Sequence, residues 1–189
     1  MTASGTRWFY STGNYWNIST TSEVTSQDAR GASPIAVAKI DGAWTSADTN
    51  WLEINSWTSG EYNYIKIYTT ESARHQGKWD TNKYRIEPND IDSIFIWEAY
   101  ARIDGLQIKM TNDDTFDYGI GIAPQNSLSS VIHVSNNIIK GVLSGVADAN
   151  YGIAIAGYTG SSVRALLIYN NIIYGFLNGS YSSNAGISV

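Results

Sequence analysis

Two stretches of this chain repeat each other at a nearly constant offset, and no other feature restricts its fold so strongly. Tyr118-Gly119-Ile120-Gly121-Ile122-Ala123 returns as Tyr151-Gly152-Ile153-Ala154-Ile155-Ala156, an offset of 33. Val134-Ser135-Asn136-Asn137-Ile138-Ile139-Lys140-Gly141-Val142 returns as Ile168-Tyr169-Asn170-Asn171-Ile172-Ile173-Tyr174-Gly175-Phe176, an offset of 34. A third copy opens at Gly186-Ile187-Ser188-Val189. Repeats of this length describe stacked supersecondary units, each too small to bury its apolar face alone.

Within each unit the spacing is that of strands. Gly119-Ile120-Gly121-Ile122 and Gly152-Ile153-Ala154-Ile155 alternate with period two, and Ile132-His133-Val134 and Leu166-Leu167-Ile168 place branched side chains at alternate positions. The i, i+3, i+4 spacing of an amphipathic helix is absent from both. An Asn-Asn pair separates the second and third strands, where a sharp bend needs the left-handed backbone that asparagine tolerates. Asn136 is expected to stack over Asn170 and Asn137 over Asn171 as a hydrogen-bonded ladder, with Gly119, Gly152 and Gly186 in register. The stretches Leu143 to Asn150 and Asn178 to Asn184 are rich in small polar residues and read as loops.

Strand, bend, strand, Asn turn and short strand make one coil of a parallel β-helix. On the apolar-x-Asn-Asn-Ile-Ile-x-Gly unit, and on Ala101-Arg102-Ile103-Asp104-Gly105-Leu106-Gln107-Ile108, the chain resembles the right-handed parallel β-helix superfamily. That superfamily includes pectate-lyase-like enzymes and phage tailspikes. The resemblance covers roughly residues 62 to 189. It implies an all-β, right-handed, single-stranded parallel β-helix (a solenoid) with an N-terminal β-rich cap. It bears on fold and not on function, because lyases, hydrolases and inert spikes share this architecture.

Composition sets the remaining bounds. All 7 tryptophans (Trp8, Trp16, Trp44, Trp51, Trp57, Trp79 and Trp97) lie within the first 97 of the 189 residues. This shift predicts an aromatic-rich cap over 1–61 and coils over 62–189, with a short helix at Ala29 to Ile40. A cap is expected because an open solenoid end exposes backbone and core side chains. A net charge of −5 argues against a nucleic-acid partner, and the chain has no cysteine for disulfides. No apolar run is long enough to insert in a membrane, and the start lacks the apolar core of a secretory signal. Assembly without signal-directed export, as for a virion component, fits that start. The expected location is extracellular or the virion surface.

Candidate sites follow from residue chemistry. Exposed aromatics of the first half suit sugar rings; their alternative is to fill the cap. Asp113, Asp114 and Asp117 form a weak calcium candidate without the spacing of a known calcium loop, so neither metal nor other cofactor is expected. A lyase needs a base and a cation to neutralise a uronate carboxylate. Arg102 and Lys109 are candidates for that role, among Arg85, Asp104 and His133 on predicted strands. His133 faces outward and reads as a solvent-facing histidine.

Alternation also sends Leu167 and Tyr169 outward, and the correspondence of Tyr174 with Lys140 sends Tyr174 outward too. These three form an expected interface, with cover by the Asn178 to Asn184 loop as the alternative. The coil begun at Gly186 is expected to be covered by another subunit, a filament neighbour or further sequence. The reading that follows is a non-catalytic structural or binding protein, a virion spike, fibre, decoration or surface appendage. Its partners would be a second copy, a filament or virion neighbour, or a glycan. A polysaccharide lyase or glycoside hydrolase acting on acidic glycans is the alternative.

Overall fold

The computed structural model describes residues 15–18 as a strand, and residues 36–89, 91–111, 117–124, 130–143, 149–156, 163–176 and 184–189. Among them there is no helix, and parallel strands stack into a β-solenoid of about four turns. The first sheet contains β1 (Tyr15–Ile18), β3 (Trp51–Ile54), β5 (Ile94–Ile96), β8 (Asp117–Ile122), β11 (Asn150–Ile155) and β14 (Ala185–Ser188), in that order. The second contains β2 (Ala36–Ile40), β4 (Ile65–Thr69), β6 (Tyr100–Asp104), β9 (Val131–Ser135) and β12 (Ala165–Tyr169). The third contains β7 (Gln107–Met110), β10 (Ile138–Gly141) and β13 (Ile172–Tyr174).

Register turns the repeat into a core. Leu52, Ile94, Ile120, Ile153 and Ile187 pair in succession on the first sheet. Ile65, Ala101, Ile132 and Leu166 do so on the second, as do Ile67, Ile103, Val134 and Ile168. Ile86, Ile108, Ile139 and Ile173 line the third. In the middle coils each inward residue thus has an apolar neighbour one coil above and below, and these inward side chains are wholly buried. Full burial of an isoleucine contributes about 1.5–3 kcal/mol, and it is available here only to a coil that has neighbours.

In the three coils that carry a third-sheet strand, the turn between the second and third sheets takes a left-handed residue. Gly105 (φ 81), Asn136 (φ 55) and Asn170 (φ 56) occupy it in succession. The next asparagine makes the ladder: Asn137 Nδ2 donates to Asn171 Oδ1 at 2.9 Å, and Asn137 Oδ1 accepts from the Leu106 N–H at 2.9 Å. Asn136 instead donates its side-chain amide to Asp104 Oδ1 at 2.6 Å. A further ladder, not foreseen from the sequence, lies where the chain enters the first sheet. There Asn184 Oδ1 accepts from the Asn150 N–H at 2.8 Å, and Asn150 sits in register with Asp117.

Two expectations are revised. Ala36–Ile40 is a strand and not the end of a helix; its alternating Ala36, Ala38 and Ile40 face the core, and pairing with β4 outweighs alanine's helical preference. Ala29 to Pro34 of that expected helix lie outside the described residues. The parallel sheets also begin upstream of residue 62, since β2 pairs with β4 and β3 with β5.

The turn network carries a pH dependence. Asp104 forms an ion pair with Arg74 and accepts from Ser135 and Asn136; burial pushes its carboxyl up, but these bonds bring it below its ordinary range. Beside it, Gly77 donates its N–H to His75 Nδ1 (3.1 Å), which leaves the ring proton on Nε2 to donate to Asn136 O (2.8 Å). Burial, and secondarily the Arg74 charge, hold this imidazole below its ordinary value of 6.5. The folded state therefore binds fewer protons here than the unfolded chain. This contribution to stability is whole above about pH 6.5 and is lost as pH falls. Comparing urea midpoints at about pH 7.5 and about pH 5.5, His75→Gln should lose less stability on acidification than the parent. Asp92, pushed up to about 6 by burial, acts in the opposite direction in both proteins and drops out of the comparison. Equal losses would remove His75 from the account.

Candidate functional site

Strand alternation builds the site on the outer face of the second sheet. Ile65, Ala101, Ile132 and Leu166 turn inward, so Lys66, Arg102, His133 and Leu167 form one outward row, in register from coil to coil. Neighbours in such a row lie about 4.8 Å apart. A groove of about 370 Å³ crosses this face, bordered by Glu61, Tyr64, Tyr100, Arg102, His133 and Arg164. Tyr64 and Tyr100 each stand one residue before the inward residue of their strand, which is why they meet on the same side.

Groove electrostatics are cationic. The Arg102 guanidinium lies over the Tyr64 ring at 3.6 Å from its centroid, a cation–π contact that holds the group flat. Among the described residues neither Arg102 nor Arg164 has a carboxylate partner, and Glu61 is the one acid on the rim. Burial, and then the charge of Arg102, push the His133 imidazole below its ordinary value. Two guanidiniums, a neutral imidazole and two tyrosines can hold a planar anion that carries hydroxyls.

The expected site residues are dispersed. Arg102 is in the groove, but Lys109 is on the third sheet, ion-paired with Glu87 at 3.0 Å. Arg85 shares Glu87 at 2.8 Å. Asp104 belongs to the turn network. Asp117 is buried at the start of β8 in the chain-entry ladder, and Asp113 and Asp114 lie outside the described residues. Among the described residues no group of three or more His, Cys, Asp or Glu side chains is placed to hold a metal ion.

Leu167, Tyr169 and Tyr174 are exposed, opposite His133, Ser135 and Lys140 of the preceding coil. Of the aromatics, Trp44 packs edge-on to buried Tyr84 (4.8 Å), and Trp51 and Trp97 flank Phe95 in a small outer cluster. His133, read from sequence as a solvent-facing histidine, is outward and lines the groove. Tyr64, Tyr100 and Arg164 were not singled out. The signal that would have found them is the position of each tyrosine directly before a strand.

Comparison of the chain with known protein families, curated proteins and solved structures finds no match.

Proposed function

We propose that the protein is a non-catalytic surface component, a spike, fibre, decoration or appendage of the pectate-lyase-like or tailspike-like kind, that binds acidic glycan in the groove over its second sheet. The observation carrying this reading is the stacked Arg102–Tyr64 pair facing an open groove with Arg164 and His133 and almost no compensating acid. A guanidinium pairs with a uronate carboxylate through two parallel hydrogen bonds, and tyrosine offers the ring face a sugar packs on. The stacked coils supply a rigid support, so little order has to be created on binding.

Calorimetric titration with uronate oligosaccharides tests it. The parent should bind, added salt should weaken binding, and Arg102→Ala should reduce affinity at least tenfold, or about 1.4 kcal/mol. Equal affinity in parent and variant, or no binding across acidic glycans, would contradict the proposal.

The outer patch is proposed to meet a second subunit or a filament or virion neighbour, since adjoining apolar and aromatic surface suits a partner. Replacing Tyr169 and Tyr174 together by serine should lower the mass in solution of any assembly the parent forms. An unchanged mass would exclude these two residues from the contact.

One observation favours a second reading, a uronate lyase: a neutral imidazole lies beside a guanidinium that, among the described residues, has no carboxylate partner. His133 would take the proton on the carbon bearing the carboxylate, Arg102 would hold that carboxylate, and the glycosidic C–O bond at the next carbon would break. The leaving oxygen would gain a proton from water, and the new ring would carry a C=C bond. Accumulation of unsaturated ends, followed by ultraviolet absorbance, separates this from binding alone.

A further inference from the structure

Around the corner from the cationic groove lies a second one of opposite character. It encloses about 630 Å³ and is bordered by Glu53, Trp57, Trp97 and Glu98, with Ser59 and Ala99 at its near end. Ala99 borders this groove and Tyr100 the cationic one, so the two are separated by a single peptide unit, with Cα atoms about 3.8 Å apart.

The second groove is built rather than incidental. Ser56 takes a left-handed backbone (φ 64), a conformation that costs a non-glycine residue energy, and turns the chain so that Trp57 enters the rim. Glu98, 7 % exposed, fixes the loop from the next coil: its carboxylate accepts from the Trp57 N–H at 2.6 Å and from the Ser59 hydroxyl at 3.1 Å. Ser59 Oγ in turn accepts from the Tyr100 N–H at 3.2 Å, which ties the two grooves together. Trp97 is braced by Phe95 at 4.7 Å. The outcome is two half-buried indoles and two carboxylates on an ordered frame.

We infer that this groove is a subsite for a neutral sugar, so that the ligand of the whole face is a mixed glycan in which uronate units adjoin neutral ones. The inference rests on the acidic-glycan reading for the first half of the ligand. Indole faces pack against the C–H face of a pyranose, and carboxylate oxygens accept from its hydroxyls. A uronate in the same place would meet Glu53 and Glu98 as like charges, which disfavours it. The cationic groove has the opposite preference, so a chain of uronate alone would fill only one of the two.

Titration with oligosaccharides of equal length, one of uronate only and one alternating uronate with a neutral hexose, tests this. The alternating oligomer should bind about tenfold tighter. Trp97→Ala should bring it down to the level of the uronate oligomer without altering the latter. Should Trp97→Ala unfold, Glu53→Ala removes an acceptor from the rim while keeping both indoles and should act in the same direction. Equal affinity for the two oligomers, or no effect of either variant when both fold, overturns the neutral subsite and leaves the acidic one standing. Binding of the alternating oligomer that depends on Trp97 and not on Arg102 supports the neutral subsite and removes the acidic reading.

Discussion

Gly152→Ala should lower the free energy of unfolding by about 2–3 kcal/mol, as expected for overpacking against atoms that cannot yield. A Cβ at this position would lie 2.6 Å from the carbonyl oxygen of Gly186 and 2.8 Å from Ile173 Cγ2. The first of these is backbone of the next coil, held by the pairing of β11 with β14, so relief requires the coils to part. Gly119 stands in the same relation to Gly152, whose carbonyl oxygen a Cβ at Gly119 would meet at 2.6 Å. Tyr118, Tyr151 and Ala185 on one side of these glycines, and Ile120, Ile153 and Ile187 on the other, pair in register, which places Gly119, Gly152 and Gly186 in one column. Gly60 is the control. A Cβ there would meet nothing within 4 Å, and Gly60→Ala should change stability by no more than about 0.5 kcal/mol. Chemical denaturation of the three proteins checks the prediction, and a Gly152→Ala loss no larger than that of Gly60→Ala would refute the glycine column.

The largest polar effect should come from Asn137→Ala. The Asn137 side chain is fully buried, and its amide serves three partners: the Leu106 N–H, the Ile103 carbonyl (3.3 Å) and Asn171 Oδ1. Alanine leaves the Leu106 N–H without its partner where water does not reach, at about 1–3 kcal/mol, and removes the side-chain bonds to Ile103 O and Asn171 Oδ1 as well. A total loss of about 3 kcal/mol is expected. Asn171→Ala should cost less: Asn171 Oδ1 accepts from both the Asn137 N–H and Asn137 Nδ2 at 2.9 Å, but Asn171 is only half-buried, so water can take its place at those donors. Reversal of that order in urea unfolding would show that the ladder does not stabilise from within.

These two sites also show what was legible in the sequence. The fold could be read where coil length is regular: the offsets that place Ile120 over Ile153 and Asn137 over Asn171 also place their strands. Upstream, more residues separate Leu52 from Ile94, and fewer separate Ile94 from Ile120, than separate the later pairs. Turn-rich segments between β3 and β4 and between β4 and β5 vary the coil length, which hides the period although the pairing persists. Ala36–Ile40 illustrates the consequence. Without a visible repeat, alanines suggested a helix, and only the partner strand β4 decides the matter.

The candidate site was less legible for a related reason. Arg102 and His133 were each visible, but a groove depends on register across coils and on which outward residue follows which turn. Tyr64 lies far from Arg102 in sequence yet within stacking distance of it, and Lys109, close in sequence, turns onto another sheet. Spacing within one strand carries no trace of this. In contrast, the left-handed Asn136 and Asn170 were accessible from residue type alone, because few other side chains tolerate that conformation.

The central claim, that an acidic glycan occupies the groove over the second sheet, is tested most directly by the imidazole resonances. The chain has 2 histidines: His133 in the groove and His75 in the turn network beneath Asn136. Titration with a uronate oligosaccharide, followed by NMR, should shift the His133 signals saturably. It should also raise the His133 pKa: burial is the main cause of its depression and the Arg102 charge the second, and the carboxylate both offsets that charge and favours the imidazolium. The His75 signals should stay in place. A His133 signal that does not move, or two histidines that shift alike, would contradict the account.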